Sequence, residues 1–381
     1  MEIKNLKKAA ARIKKAIENK ENVILYGDAD LDGVTSVIIL EESIKTLGGK
    51  VSTVYFPDRE SEGYGISETG LNAFKKYAPA VLVAVDCGIS NFKEVVLAKK
   101  FGFEVIIIDH HEILDELPQA QIIVDPKQKD DKYPFKKFAA VGLVFKLAET
   151  LLEKNLSENL KRNFLELVAL ATVADSMPRE GENELFIGEG FSTLANSWRP
   201  GLKAFLENKE IGGHSNLYQK VSKIISILNV RDIENRLPVS FRLLNSGDLA
   251  EAKEMVAELL EKNKIKKEKI ATIQDEIEAR IARKKEPIIF EAAADFELIL
   301  LGGIASILCQ KYSKPVFLMK QMKEESHGTI RTPSEINSVD LLKHCSKYLL
   351  TFGGHPQASG FRIKNENLEK FRQCLLTNLK R

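Results

Sequence analysis

This 381-residue sequence has few cysteines, almost no excess of either charge and no long apolar runs. The 56 basic and 54 acidic residues leave a net charge of +2, so any nucleic-acid site has to be a local patch. The four cysteines form no CxxC pair, which excludes a zinc ribbon or a thioredoxin motif and predicts free thiols. The sequence has no signal-peptide run and no apolar stretch of about 18 residues, which predicts a cytoplasmic protein without membrane contact.

Short apolar runs divide the first 125 residues at regular intervals. Helix-like segments, among them 36–47 and 91–100, separate these runs. The runs are Val23–Tyr26, Val51–Phe56, Val81–Val85 and Val105–Ile108. Continuous Val, Ile and Leu runs alternating with helices predict a mostly parallel sheet covered on both faces. Functional groups of such sheets collect beyond the carboxyl ends of the strands.

The pattern changes twice further along the chain. One long amphipathic helix, or two in succession, is predicted from Ser246, its N-cap, to about residue 285, before Pro287. After it, "ELILL" and "KPVFLM" are typical of buried strands, "GGIASILCQKY" of a helix and "TFGGHPQASGFRI" of a glycine-rich turn entering a strand. The expected division is a first domain over 1–200, a helical linker region over 201–285 and a smaller α/β domain over 286–381.

Three aspartates, Asp28, Asp30 and Asp32, stand at alternating positions in "DADLDG", directly after the first apolar run. Carboxylates this close repel one another, and a divalent cation is the usual means of neutralising them. An EF-hand calcium loop would need a glutamate where the sequence has isoleucine, so that interpretation fails. A helix N-cap with solvated acids is the remaining alternative.

Further acids and two histidines follow other apolar runs. Asp86 ends "VLVAVD", Asp109, His110 and His111 follow "VIII", and Asp175 ends the helical segment "LATVAD". Hard carboxylates with a few imidazoles suit manganese or magnesium better than structural zinc. The number of acids predicts two ions, about 3.5–4 Å apart and bridged by one carboxylate, a pair that activates water for phosphoryl displacement.

These motifs carry a family resemblance. "DADLDG", "VDCGIS", "DHHE" and "VADSMP" resemble, in order and spacing, the four motifs of the DHH phosphoesterases, and "FGGHPQASGF" resembles the GGH motif of the DHH-associated domain. "DGVTS", "KYPFKKFAAVGLVFKL" and the long helix are similar to the RecJ nuclease branch. The resemblance implies an α/β fold in which a long helical linker joins a parallel-sheet DHH domain to a smaller α/β DHH-associated domain.

The resemblance also implies roles for individual residues. Asp109 would orient His110, and His111 would act on the phosphate or the leaving oxygen. Two Mn²⁺ ions, with Mg²⁺ as the second choice, would be held by Asp28, Asp30, Asp32, Asp86, His110 and Asp175. Substrate would be gripped by Arg331, Gly353, Gly354 and His355. Without the resemblance, the glycine pair would be interpreted as a hairpin turn and Arg331 as a surface charge.

The implied function is a two-metal-dependent exonuclease that hydrolyses single-stranded DNA, with RNA as a second candidate, from one end. Its implied partners are single-stranded nucleic acid and replication or repair proteins. The bacterial nuclease branch carries a further oligonucleotide-binding domain, so a minimal core is expected here. Two alternatives stay open: a phosphodiesterase for short oligoribonucleotides or cyclic dinucleotides, and an inactive replication scaffold of the same fold.

Overall fold

A computed structural model describes residues 2–59, 61–113, 116–213, 216–229, 233–234, 236–282 and 286–379. The chain forms two compact units, Met1–Asn263 and Lys264–Arg381, each with its own hydrophobic cores. The boundary between these units lies inside one long helix, whereas the sequence predicted a separate helical linker region over 201–285. That three-part division stays a prediction.

The first unit is built on a five-stranded sheet in which all strands run parallel, as predicted. The strand order is β2-β1-β3-β4-β5. The strands are β1 (Asn22–Gly27), β2 (Thr53–Tyr55), β3 (Ala80–Val85), β4 (Phe103–Ile108) and β5 (Ile122–Val124). The sequence predicted the first four strands but not β5. The carboxyl ends of β1, β3, β4 and β5 therefore meet at one edge.

Helices cover both faces of this sheet. Val23 and Leu25 of β1 belong to one core, and Ile24 and Tyr26 belong to the other, as the period of two requires. The helices of this unit are α1 (Leu6–Glu18), α2 (Leu31–Thr46), α3 (Glu68–Phe74), α4 (Phe92–Lys100), α5 (Ala140–Leu152), α6 (Glu158–Ala174), α7 (Gly181–Leu194), α8 (Pro200–Glu207), α9 (Lys209–Gly212), α10 (Leu217–Leu228) and α11 (Val239–Asn245). Two short strands, β6 (Ile233–Glu234) and β7 (Leu237–Pro238), pair with each other.

The long helix α12 (Leu249–Ile281) confirms the predicted helix, although its predicted N-cap is wrong. Asp248, not Ser246, accepts the first backbone N–H groups, those of Ala250 and Glu251, at 2.7 and 2.9 Å. Ser246 instead accepts the N–H of Asp248 in the preceding turn. Residues 283–285, at the predicted end, lie outside the described residues. None of the helices in the described part of the chain is long and apolar enough to cross a membrane.

The second unit has a five-stranded sheet of order β11-β12-β10-β9-β8, antiparallel except for the β8–β9 pair. Helix α13 packs on one face, and α14 and α15 contribute to the core on the other. The elements are β8 (Ile289–Ala293), α13 (Leu298–Tyr312), β9 (Val316–Gln321), β10 (Glu325–Arg331), α14 (Ser338–His344), β11 (Leu349–His355), β12 (Ala358–Lys364) and α15 (Leu368–Asn378). "KPVFLM" is a strand as predicted, but the prediction for "ELILL" was wrong, because this stretch opens α13.

The prediction of free thiols holds for two cysteines and is wrong for the other two. Cys87 and Cys309 are free and buried. Cys345 and Cys374, however, form a disulfide with a Cα–Cα distance of 6.0 Å. This bond ties the segment after α14 to α15, a proximity that residues 29 apart in sequence do not reveal.

Candidate metal centre

The aspartate triplet lies where β1 ends and α2 begins. Asp28 follows β1 and is buried, and Asp30 is the N-cap of α2, accepting the N–H groups of Asp32 and Gly33 at 3.0 and 3.2 Å. A methyl group on Gly33 would lie 2.3 Å from the Asp28 carbonyl oxygen, so α2 starts directly against the strand end. The N-cap alternative therefore describes Asp30 correctly, but it does not explain why the carboxylates of Asp28 and Asp32 are buried.

Asp32 is buried in the first turn of α2 and faces the start of α5. Its two carboxylate oxygens accept the N–H groups of Ala140 and Val141, each at 2.8 Å. Burial and the nearby charge of Asp30 raise the pKa of Asp32 to about 7, despite these two hydrogen bonds. The carboxylate is thus held in place by α5 while its charge is left without a full counter-charge.

Asp86 stands at the centre of the acidic cluster. It follows β3 in a left-handed conformation (φ 59°) and is buried. Burial and the charges of Asp32 and Asp30 raise its pKa well above the ordinary value. Its Oδ1 lies 3.2 Å from Nε2 of His110, which is also 3.7 Å from Asp32 and 3.6 Å from Asp175.

The structure brings all six predicted metal-binding residues together. Two groups have ligand atoms within 4.8 Å of one another, and Asp86 of the first group contacts His110 of the second. The groups are Asp28, Asp30 and Asp86, and Asp32, His110 and Asp175. Oδ2 of Asp175 is buried without a hydrogen-bond partner among the described residues, and burial raises the pKa of this carboxyl well above its usual range. This oxygen-rich donor set, short of positive charge, fits hard divalent cations.

Arg59, which the sequence analysis missed, supplies positive charge to the first group. Its Nε donates to Asp28 Oδ1 at 2.7 Å, and Nη2 pairs with both Asp28 and Asp30. The guanidinium carbon stands 5.4 Å from the ring centre of Tyr64, whose hydroxyl donates to the Asp86 carbonyl oxygen at 2.9 Å. The only signal in the sequence was a glycine-containing loop, "PDRESEGYG", after β2.

Asp109 contacts a different histidine from the one predicted. Its Oδ1 lies 2.8 Å from Nδ1 of His111 and accepts the backbone N–H of His110, while Oδ2 accepts the N–H of Ile89. Burial acts to raise the pKa of Asp109, but the charge and hydrogen bond of His111 outweigh it and hold the pKa below its usual range. The expectation that Asp109 orients the His110 ring is corrected: its side chain orients His111.

Asp125 is an acid that the sequence analysis did not assign to the strand-end edge. It follows β5, is fully buried and accepts the N–H of Lys127 at 2.7 Å. Burial, with a smaller effect of the Asp109 charge, raises its pKa to about 7. Its raised pKa distinguishes Asp125 from Asp109 on the neighbouring strand, whose pKa is lowered.

In the second unit, Arg331 ends β10 with a half-buried guanidinium. Nε donates to Ser306 Oγ at 3.0 Å, and Nη1 donates to Thr329 Oγ1 and the Ile330 carbonyl oxygen. Burial lowers its pKa, and no carboxylate of the described residues pairs with it. A desolvated guanidinium held only by neutral acceptors is suited to an anion.

Gly353, Gly354 and His355 lie in strand β11, whereas the sequence predicted that they belong to a glycine-rich turn. Gly354 has φ +138°, and a methyl group on it would lie 2.4 Å from the Ala358 carbonyl oxygen, so the hairpin requires glycine there. The carbonyl oxygen of His355 accepts the hydroxyl of Ser338 at 3.0 Å. These residues pair with β12, the strand next to Arg331.

The parallel sheet carries acids and a histidine pair at the carboxyl ends of its strands. These features place the chain in the class of α/β proteins with a candidate carboxylate–histidine metal centre. Residues 22–172 match the model of the DHH family N-terminal domain, and residues 285–381 match the DHHA1 domain. The chain therefore belongs to the DHH family.

Several similar proteins carry the name RecJ. The single-stranded-DNA-specific exonuclease RecJ of Bacillus subtilis is 35% identical over 98% of this chain, which spans 48% of that relative. A crystal structure of exonuclease RecJ bound to manganese has a TM-score of 0.80, 27% identity and coverage of 100% of this chain and 96% of its own. The structure of RecJ from Thermus thermophilus in complex with Mn²⁺ has a TM-score of 0.85, 25% identity and coverage of 99% and 55%.

Proposed function

We propose that this chain is a two-metal-dependent exonuclease that hydrolyses the phosphodiester bonds of single-stranded DNA from one end, with RNA as the second candidate substrate. The observation that supports this proposal most directly is that two groups of possible metal ligands lie next to each other, joined by the contact of Asp86 with His110. Similarity to a single-stranded-DNA-specific exonuclease over 98% of the chain supports the choice of substrate. Mn²⁺ is the proposed metal, and Mg²⁺ the alternative, because the RecJ structures hold these ions.

Each donor group would hold one ion. Asp28, Asp30 and Asp86 form the first site, and Asp32, His110 and Asp175 form the second. Because Asp86 contacts His110, its carboxylate is placed to serve both sites. Two ions held by these residues would supply a water molecule of lowered pKa and positive charge opposite the attacked phosphate.

His111 is the proposed proton donor to the leaving oxygen. Asp109 lies against its Nδ1 at 2.8 Å, which directs Nε2 to proton exchange. The lowered pKa of Asp109 keeps this carboxylate ionised, so it stabilises a protonated imidazole. Tyr64, 3.0 Å from the same Nδ1, further fixes the ring.

Arg331 is the proposed phosphate-binding residue of the second unit. Its guanidinium has neutral hydrogen-bond partners on Nε and Nη1. A phosphate would supply a negative charge that stabilises this partly desolvated cation. Gly353, Gly354 and His355 belong to the same sheet and are proposed to contact the substrate with it.

Digestion of a single-stranded 20-mer tests the proposal. The oligonucleotide is labelled at either end, as DNA and as RNA, and incubated with Mn²⁺, with EDTA as the control. Stepwise shortening that EDTA abolishes is expected, and the label pattern gives the polarity. Rapid cleavage of a dinucleotide beside an intact 20-mer would move the protein to the short-oligonucleotide phosphodiesterases, and absence of all turnover would favour the scaffold.

The cellular setting is part of this proposal. A single-strand exonuclease acts where DNA is copied and mended, so we place the chain in the cytoplasm with replication or repair proteins as partners. Co-purification of such proteins with the intact chain, repeated after nuclease treatment to remove bridging DNA, is the corresponding test.

A further inference from the structure

The sheet of the second unit has one face that is not fully covered by helices, here called the open face. Side chains alternate along β10 and β12: Ile330, Phe361 and Ile363 point into the core shared with α14 and α15. The open face carries the alternate positions, which are Glu325, His327, Thr329 and Arg331 on β10, and Ala358, Gly360, Arg362 and Lys364 on β12. Helix α13 packs against β9 and β10.

Arg331 marks the border of the part covered by α13. It donates to Ser306 of this helix, and a methyl group on Gly302 would lie 3.3 Å from its Nη2. On the far side, Gly360 of β12 pairs with Gly353 of β11. A methyl group on Gly353 would meet no described atom within 4 Å, and one on Gly360 would meet only the Gly328 carbonyl oxygen, at 3.7 Å. Arg331 lies level with Ala358 and His355, and the next row along the open face, Thr329–Gly360–Gly353, is bare backbone at its two glycines.

Arg362 stands beyond this bare surface. Its side chain is 48% exposed, and it lies directly across from His327, four residues before Arg331 on β10. At about 3.4 Å per residue, the two arginines are separated by about 14 Å along the strand direction. That separation exceeds the length of one nucleotide. A single-stranded nucleic acid bound at both arginines would therefore lie along the sheet, over Gly360 and Gly353.

The excess of positive charge on the open face favours the binding of an anion. Glu325 is the single acid that β9, β10, β11 and β12 direct to this face, and it accepts from both Arg362, at 2.8 Å, and His327, at 2.9 Å. These two partners, His327 first, lower the pKa of Glu325. The shared carboxylate orients Arg362, while Arg331, Lys320 and Lys364 leave the face with an excess of positive charge.

We propose that Arg362 and Arg331 form a phosphate track along the open face, on which the backbone of single-stranded DNA lies beyond the nucleotide held by Arg331. The inference rests on the proposed function, because its ligand is the same single strand. Two guanidiniums pair with successive parts of the sugar–phosphate chain, and the bare glycines let that chain approach the sheet. The track therefore adds affinity for longer strands and none for a dinucleotide.

Equilibrium binding without turnover tests the track. The intact chain is titrated in EDTA with fluorescein-labelled dT12 over a salt series, and dT2 is measured by competition. Arg362→Gln is expected to weaken dT12 binding about tenfold and to lower the salt slope by about one, with dT2 unchanged. Arg362→Lys should keep most of the slope, because the charge remains.

Lys370→Gln is the matched control, since it removes one charge from α15 on the other side of the sheet. Unchanged dT12 binding in Arg362→Gln, equal losses for dT12 and dT2, or an equal loss in Lys370→Gln would each overturn the track. The outcome is independent of catalysis. Length-dependent binding with no nuclease activity would reject the proposed function alone, and nuclease activity with Arg362-independent binding would reject the track alone.

Discussion

Asp86 is the residue through which the two donor groups meet, and its substitution separates chemistry from folding. Asp86→Asn removes one buried negative charge from a crowded cluster but keeps the shape of the side chain. Because burial and like charges raise its pKa, we expect the metal-free variant to be more stable than the parent near neutral pH. Nuclease activity should fall at least about a thousandfold. Chemical denaturation in EDTA and Mn²⁺-dependent digestion measure the two effects.

The control for this substitution is Asp130→Asn. Asp130 is an exposed acid whose ion pair with Lys4 faces solvent, so its loss should leave the free energy of unfolding nearly unchanged. Activity should stay at the parent level. Manganese-dependent digestion surviving in Asp86→Asn would remove Asp86 from the proposed centre.

Residue-level prediction worked where a polar side chain directly follows a buried strand. Asp28, Asp86 and Asp109 were placed correctly because parallel strands bring their carboxyl ends together whatever the loops do. Arg59 and Tyr64 were missed because they lie in a loop, and nothing local fixes the direction of a loop. The contact of Asp109 with His111, rather than with the His110 ring, depends on side-chain rotation, which spacing alone does not encode.

The junction of β1 and α2 is the element on which the aspartate triplet depends, and Gly33 is its closest contact. Gly33→Ala would drive a methyl group into the Asp28 backbone, so the helix start has to shift. We expect a loss of about 2–4 kcal/mol and weaker Mn²⁺ binding. Denaturant unfolding and metal titration by calorimetry are the measurements.

Gly188→Ala provides the comparison for this change. Gly188 lies within α7, where an added methyl group meets no described atom within 4 Å. Alanine there should stabilise the protein by about 0.5–1 kcal/mol and leave Mn²⁺ binding as it is. Equal effects of the two substitutions would show that the helix start does not set the metal site.

At the level of elements, the sequence predicted the strands and the helix whose burial imposes a clear apolar pattern. Strands β1 to β4 are continuous apolar runs, and α12 shows its periodicity over 33 residues. "ELILL" failed because an uninterrupted apolar run suits a buried helix as well as a buried strand, and only its packing as α13 decides. The glycine pair at 353–354 was placed in a loop because glycine usually breaks strands, whereas here it lies in a hairpin at the sheet edge.

Across the whole chain, the stability of the metal-free protein should depend on pH in a direction that the buried acids determine. Folding raises the pKa of Asp32 from 3.8 to about 7, and those of Asp86 and Asp175 also rise. A raised carboxyl pKa favours the folded state at low pH, and this contribution is lost as the pH rises from about 4 through about 7. The metal-free chain should therefore lose stability over this range.

Mn²⁺ should reverse that loss, because a bound cation stabilises the ionised carboxylates. At a hundred times its Kd, the ion should add about 3 kcal/mol near pH 8 and much less near pH 5. Thermal melts with Mn²⁺ or EDTA across this range test the prediction, and Asp86→Asn should show a smaller pH effect. A metal-free stability that rises between pH 5 and 8 would contradict the proposed crowding of carboxylates.

The left-handed backbone at Asp86 also bears on how such a fold changes over evolutionary time. Asparagine adopts this conformation about as readily as aspartate, and one nucleotide change converts the codon of one into that of the other. A lineage can thus lose the proposed catalysis in a single step without passing through an unstable ancestor. Duplicated genes carrying that change would persist as folded binding proteins, free to acquire partners that the original enzyme never had.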